Sequence, residues 1–533
     1  MCRGCGNSVT CSPERNRRKA SSMVDWAEEC DVLVVGSGAG GCCGAYTAAR
    51  EGLSVVLVEA SEYFGGTTAY SGGGGVWFPT NAVLRRAGDD DTIDDALTYY
   101  HSVVGDRTPR DLQDAYVRGG APLIDYLEAD EDIEFTAYPW PDYFGKAPKA
   151  SAKGRHIAPT PRSVVDDPEL NESVRGPLGR ERNGDPLPDK LIGGRALIGR
   201  FLLAMRKYPN VQLHRNTALE ELVVEDGAVV GAIVSHGDQR RAVRARKGVV
   251  LAAGGFDHND EMRAQYGVPG AARDSMGPWS NLGKAHQAAI AIGADVDLMS
   301  EAWWSPGLTH PDGRSAFALC FTGGIFVDQD GNRFTNEYAP YDRLGRDIIA
   351  RMDKGEMTLP FWMIYDDRGG VVPPIAATNV PLVETEKYEA AGLWKTADTL
   401  AELAGQIGVP AEALEATVAR FNRLAATGVD EDFGRGDEPY DVAFTGGGSA
   451  LVPIEKGPFH AAQFGISDLG TKGGLRTDTV GRVLDGAGTP IAGLYAAGNT
   501  MAAPSGTVYP GGGNPIGTSA LFAHLAVRHM AGA

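Results

Sequence analysis

The sequence predicts an α/β protein: a parallel, helix-flanked sheet assembled from separate stretches of chain, with an α+β region inserted between them. Three observations lead there. An aliphatic run at 31–35 passes through a glycine-rich turn into a helix of small residues, then into a second aliphatic run at 54–58, the strand–helix–strand order of a parallel sheet. Two more aliphatic strands, in "GVVLAAGGFD" (248–257) and "GLYAAGNT" (493–500), lie far downstream and also end in glycine or asparagine. Between them, the stretch 301–445 opens on the turn-rich "WWSPGLTHPDG" and mixes hairpin with helical patterns.

Length and composition bound the rest. A chain of 533 residues is too long for one compact core. Its net charge of −19 argues against nucleic acid or an anionic membrane as partner, because both demand a basic surface. No apolar run long enough to span a bilayer is present, so no integral membrane segment is expected. Glycine, at 71 residues, has no period and gathers at strand ends, as it does where backbone must approach a ligand. Seven cysteines make no disulfide framework at this size, and Cys42 and Cys43 fall at a buried helix start, which suits a reducing cytoplasm. Residues 1–27 read as a disordered leader with no apolar signal-peptide core. Its thiols Cys2, Cys5 and Cys11, without a nearby histidine, fall short of a four-ligand zinc site, so no metal is expected.

The elements follow in chain order. In "CDVLVVGSGAGGCCGAYTAAREGLSVVLVEA" (30–60), Gly36 makes the tight turn, Gly38 lets a pyrophosphate touch backbone, and Gly41 lets helix and strand pack closely. Ser37 and Ala39 complete the turn, and the helix N-terminus offers N–H groups and a positive dipole end. Glu59 closes the second strand as an acceptor for ribose hydroxyls, followed by Ala60 and Ser61. This is a Rossmann-like dinucleotide site. The next stretch, "EYFGGTTAYSGGGGVW" (62–77), decides for FAD over NAD. Gly66, Thr67, Thr68, Ser71, Gly72 and Gly73 offer N–H and O–H donors without bulk, a second cradle for phosphate and ribityl. Residues 116–190 are irregular and proline-rich, a cap around the cleft within the first region, 28–300. A hairpin at 221–235 turns on Asp-Gly. The second region, 301–445, is expected to carry a hairpin at 324–337 and helix over 398–426, and 446–533 returns to complete the first.

On these motifs the chain, over nearly all of 28–530, resembles the FAD-dependent fumarate reductase/ketosteroid dehydrogenase superfamily. The resemblance implies an FAD-binding domain built from discontinuous segments with an inserted catalytic domain. It also implies cofactor contacts at Ala218, Gly254, Asn499, Asn514, Pro515 and Ile516. No histidine for a covalent flavin tether stands in the Gly-Gly-Thr-Thr-Ala-Tyr stretch, so the FAD is expected to be non-covalent.

In "RFTNEYAPYDRLGR" (333–346), Tyr341 stands where the fumarate reductases of the superfamily carry a proton-donating arginine. That departure points away from dicarboxylates. The Pro-Tyr pair, Tyr143 in "YPWPDYFGKAP" (138–148), and Tyr509 with Gly513 in "TVYPGGGNPIG" (507–517) look like the catalytic residues of 3-ketosteroid Δ1-dehydrogenases.

The resemblance then implies that Tyr509 O–H and Gly513 N–H hold a C3 carbonyl oxygen while Tyr341 removes the C2 proton. A phenol with a reference pKa of ~10 must be brought toward neutrality for that task. Tyr143 and a helix N-terminus are the groups expected to help. Trp303, Trp304, Phe317, Phe321, Phe361 and Trp362 are expected to divide between a flat apolar cleft and the core. The implied partners are a 3-ketosteroid and an external, quinone-like electron acceptor, with a cytoplasmic or membrane-peripheral location. Three alternatives stay open: a Δ4-(5α)-dehydrogenase, a fumarate-reductase-like enzyme, and a binding protein with a dead site.

Overall fold

The computed structural model describes residues 24–533. The cysteines of the expected leader lie outside the described residues. The first strand, Trp26–Val35, starts earlier than its aliphatic run, because Trp26–Cys30 also pair with Ala242–Ala245 and Arg244 stacks on the Trp26 ring. Trp26 and Ala27, expected within the leader, belong to this strand.

The first sheet has eight strands. Trp26–Val35 lies between Val55–Val58 and Gln239–Leu251, all parallel. Val211–His214 and Pro490–Ala496 extend the parallel core on either side. Val32–Val35 and Val55–Val58 are buried throughout, which is why these strands read as unbroken aliphatic runs rather than alternating ones. Small residues on the helix Ala39–Arg50 let it pack closely on the last helix, Asn514–Ala531. A Cβ on Gly44 would stand 3.4 Å from that of Ala523. Cys42 and Cys43 are buried free thiols. The Asp-Gly hairpin forms between Ala218–Glu225 and Ala228–His236, with Asp226 at φ 50° and Gly227 at φ 81°, the left-handed pair such a turn requires.

The second sheet has seven strands and is antiparallel throughout. Its central strand is Phe459–Thr471, which pairs with Ala302–Thr309, Phe361–Asp366 and Trp394–Ala397. The chain thus stays in the second sheet past residue 446, where return to the first was expected. Strand alternation puts Trp303 and Trp304 on opposite faces. Trp304 joins a core with Phe321, Phe326, Phe361 and Phe464, while Trp303 packs with Phe317 and the site tyrosines.

Three local expectations change. The "irregular" segment 116–190 begins inside an amphipathic helix, Arg110–Glu128, which accommodates Pro122. The hairpin at 324–337 shrinks to Ile325–Val327 and one bridge to Arg333, because the Glu337 carboxylate takes the Phe326 N–H at 3.0 Å. The helix over 398–426 is two helices, Leu400–Ile407 and Ala411–Thr427, separated at left-handed Gly408 and Pro410.

Candidate active site

One cavity of about 780 Å³ runs from the ends of the first parallel strands to the second sheet. At its first end, Gly36 adopts φ +96°, and a Cβ there would overlap the Ala252 carbonyl. A Cβ on Gly41 would overlap the Gly36 carbonyl, so this glycine serves helix–strand contact and stands behind the wall. Gly38 differs. The nearest atom to a Cβ on it is Thr68 Oγ1 at 3.5 Å, so the space it leaves belongs to the cavity. A Cβ on Gly72 would meet nothing within 4 Å.

Glu59 lines this end with both oxygens engaged. Oε2 accepts from Ser37 N–H (3.1 Å) and Oγ (2.5 Å), and Oε1 from Ser61 N–H and Oγ (both 2.9 Å). A ribose hydroxyl would share it with those two serines. The helix Ala39–Arg50 has no side-chain cap at Gly38, but its first amides already donate to Thr68 Oγ1 and Ser519 Oγ.

Among the expected cofactor residues, Ser37, Ala60, Gly66, Thr67, Thr68, Ser71 and Gly73 also line the cavity. So do Ala218, Gly254, Asn499, Pro515 and Ile516. Ala39, Ser61 and Asn514 do not. Asn514 turns its buried amide toward Tyr100 and Tyr116 instead of the cavity. The glycine-lined space and the donors around it fit a dinucleotide followed by a flat ring system.

At the other end, three distant segments bring three phenols together. Tyr143 lies in a loop after Phe135–Ala137, and Tyr341 is the first residue of the helix Tyr341–Asp353. Tyr509 precedes the last helix. Their ring centroids are 5.5 Å (143–341), 5.1 Å (143–509) and 5.5 Å (341–509) apart. Phe317 meets Tyr341 edge-on at 4.8 Å, and Trp303 meets Tyr509 at 5.0 Å. Trp140 Nε1–H donates to the Tyr143 hydroxyl at 3.1 Å.

The glycines after Tyr509 each have a steric reason. A Cβ on Gly511 would stand 2.5 Å from the Trp77 ring, one on Gly512 2.7 Å from the Trp140 ring, and one on Gly513 2.7 Å from the Gly75 carbonyl oxygen. Gly513 is left-handed, φ +91°, and caps the last helix. Side chains grip alternate carbonyls of this loop: Lys472 Nζ on Val508 (2.5 Å), Tyr99 O–H on Pro510 (2.5 Å), and His156 Nδ1–H on Gly512 (2.6 Å). Burial pushes His156 down to about 4, so it is neutral and keeps that tautomer near pH 7.

Burial raises all three phenols well above the usual tyrosine value. The neighbouring Tyr143 raises Tyr341 further, because one phenolate disfavours another beside it. Tyr509 is the contact that lowers Tyr341, and Gly513 N–H lowers Tyr509. The expectation that Tyr143 and the helix N-terminus bring Tyr341 toward neutrality is therefore corrected: desolvation wins in the free protein. Tyr338 lies outside this cavity, with its ring under Arg435 at 3.6 Å.

Sequence reasoning missed Met276, Leu319, Leu469 and His156 on the wall. His156 carried no motif. Leu469 lies on the central strand that was assigned to the other sheet, and strand alternation there is the signal that would have exposed it.

Such a wall defines a dinucleotide-binding α/β protein with an aromatic second chamber, a flavoprotein. Residues 31–516 match the family model described as "FAD binding domain". The 3-oxosteroid 1-dehydrogenase of Mycobacterium tuberculosis is 37% identical over 95% of this chain and 98% of its own. The 4-oxocyclohexanecarboxylate 2-dehydrogenase of Sinomonas cyclohexanicum is 33% identical over 94% of this chain and 93% of its own. A crystal structure of 3-ketosteroid delta1-dehydrogenase from Sterolibacterium denitrificans, in complex with 1,4-androstadiene-3,17-dione, superposes with TM-score 0.85. It shares 31% identity and covers 95% of this chain and 100% of that one. The chain belongs to the FAD-dependent fumarate reductase/ketosteroid dehydrogenase superfamily and is an FAD-dependent oxidoreductase.

Proposed function

We propose that the protein removes hydrogen from C1 and C2 of 3-ketosteroids, leaving the 1-ene-3-one. The observation that carries this is the convergence of Tyr143, Tyr341, Tyr509 and Gly513 in the apolar chamber of one cavity. Gly36, Ser37, Gly38, Glu59, Thr67 and Thr68 would hold the dinucleotide, and Ser71 to Gly73 with Gly513, Pro515 and Ile516 would border the flavin ring. FAD, when bound there, supplies the acceptor for the C1 hydride.

Tyr509 O–H and Gly513 N–H receive the C3 carbonyl oxygen. Both are fixed before substrate arrives, so polarisation costs little reorganisation. A polarised carbonyl makes the C2 proton acidic, and Tyr341 takes it. Tyr143, held by Trp140 N–H, fixes the Tyr341 ring that it meets edge-on. Trp303, Phe317, Leu319, Met276 and Leu469 exclude water and face a flat apolar skeleton. An external quinone-like acceptor and a cytoplasmic or membrane-peripheral location complete the reading. No helix among the described residues is long and apolar enough to cross a membrane.

The relatives also include enzymes named for cyclohexane carboxylates, which would ask for a cation near the tyrosines. Among the described wall residues the one Lys or Arg is Lys284, beside Asn281, whose amide bonds Thr67 on the dinucleotide half. That favours the uncharged steroid. The test is anaerobic mixing with 4-androstene-3,17-dione, with a 5α-saturated 3-ketosteroid or with 4-oxocyclohexanecarboxylate. Bleaching of the flavin band and a 1,4-diene product with the steroid support the reading. Bleaching by the carboxylate alone refutes it, and a double bond at C4–C5 of a saturated steroid assigns the Δ4 activity instead.

A further inference from the structure

Lys472 immediately follows the central strand of the second sheet, Phe459–Thr471. Its side chain is fully buried, yet it does not line the cavity. An amine in that position is costly unless its contacts compensate. Its Nζ donates to the Val508 carbonyl at 2.5 Å and lies 4.1 Å from the centre of the Trp303 ring. Both contacts end at Tyr509. Val508 is the residue before it, and Trp303 is the ring against which the Tyr509 ring packs edge-on at 5.0 Å. Trp303 is itself fixed by its indole N–H, which donates to Asn499 Oδ1 at 3.0 Å. The other grips on the loop, Tyr99 and His156, act on Pro510 and Gly512, beyond Tyr509.

The charges facing Lys472 come from two elements. Arg346 and Asp342 lie on the helix that begins with Tyr341, and Glu301 precedes the strand of Trp303. Arg346 bridges the two carboxylates at 2.9 Å each, so Lys472 supplies the second positive charge against two negative ones. Asp342 pushes Tyr341 and Tyr509 upward.

We propose that Lys472 is a positioning residue for the phenol that polarises the substrate carbonyl. It clamps the backbone before Tyr509 and the aromatic face beside it, from the second-sheet side. Burial pulls its ammonium down to about 7, and the Val508 bond needs only an N–H, so the clamp survives loss of the charge. The inference rests on the role given to Tyr509 above.

The experiment is a double-mutant cycle on the FAD-loaded enzyme with 4-androstene-3,17-dione. Lys472→Met keeps the volume and loses the donor, and Lys472→Gln retains an N–H for Val508. With flavin content unchanged, Lys472→Met is expected to lower kcat about 10–100-fold, the scale for a misplaced reacting group, with KM changed less than about threefold. Lys472→Gln is expected to recover most of that loss. In a Tyr509→Phe background, Lys472→Met is expected to cost less than about twofold, because the group it positions is gone.

The same tenfold loss in both backgrounds overturns the inference while leaving Tyr509 in its role. So does an unchanged kcat in Lys472→Met. Full activity in Tyr509→Phe alone overturns the underlying reading instead. Should Lys472→Met fail to fold, the cycle is run with Lys472→Leu, which also lacks the donor, against Tyr509→Phe. A loss confined to the Tyr509 background then supports the clamp, and an equal loss in both backgrounds overturns it.

Discussion

Replacing Tyr341 by phenylalanine separates proton removal from everything else the site does. The ring is buried and packs edge-on against Phe317 at 4.8 Å and against Tyr143 and Tyr509 at 5.5 Å each. Phenylalanine keeps those contacts. It removes one hydroxyl from a cluster of three, and each neutral hydrogen bond lost is worth about 1 kcal/mol. The protein should therefore lose only about 1–2 kcal/mol of stability, small beside the ~5–15 kcal/mol of a typical fold. Flavin content and steroid binding should stay near normal. Dehydrogenation should fall by at least ~10²-fold, the range for a lost general base. The decisive assay is exchange of the C2 hydrogen with solvent deuterium, followed by mass spectrometry, since it requires proton transfer at C2 without hydride loss at C1. Exchange at the wild-type rate in Tyr341→Phe would refute the assignment of the base.

Other consequences are equally direct. Gly38→Val should give apo-protein, because the branched side chain fills cavity space beyond Thr68, and flavin absorbance after gel filtration reads it. Gly513→Ala places a Cβ 2.7 Å from the Gly75 carbonyl oxygen at φ +91°, so strain of ~1–3 kcal/mol should lower the melting temperature together with kcat. With Tyr341 raised above its usual value, kcat should climb as pH rises through the neutral range, by up to about tenfold per unit. A flat profile between about pH 7 and 9 would exclude a phenolate base of raised pKa. His156, His286, His310 and His524 are each held down to about 4 by burial, against about 6.5 unfolded. The unfolded chain binds these protons first, so stability present above about pH 6.5 is lost as pH falls toward 4, by about 3 kcal/mol per histidine. Chemical denaturation at pH 7 and pH 5 tests that slope.

The first sheet was legible because its strands carry their own signal. Val32–Val35 and Val55–Val58 are buried on both faces and leave unbroken aliphatic runs, and the glycines between them have single steric purposes. The tyrosine cluster was legible only through short motifs in three distant places; no periodicity links Tyr143, Tyr341 and Tyr509. What the sequence hid was tertiary. Phe459–Thr471 has no composition that tells one sheet from the other, and only its pairing with Ala302–Thr309 and Phe361–Asp366 does so. The Glu337 carboxylate replaces backbone pairing after Val327, a side-chain event outside any strand pattern. The upward push on the phenols comes from burial, a property of the assembled cavity rather than of residue type.

The position of the Phe459–Thr471 strand also decides how substrate range is to be exchanged between relatives. The stretch 301–445 looks like a portable cassette, a piece to be lifted out and replaced. Grafting it alone would carry across the strands of Trp303, Phe317 and Trp394 while leaving the host's own strand in the middle of the sheet. Every guest strand bordering it would then meet foreign partners, as would Tyr509 where it rests on Trp303. A hybrid joined after Thr471 moves the second sheet as one inherited unit, and recombination between relatives is expected to tolerate crossovers there better than at residue 446.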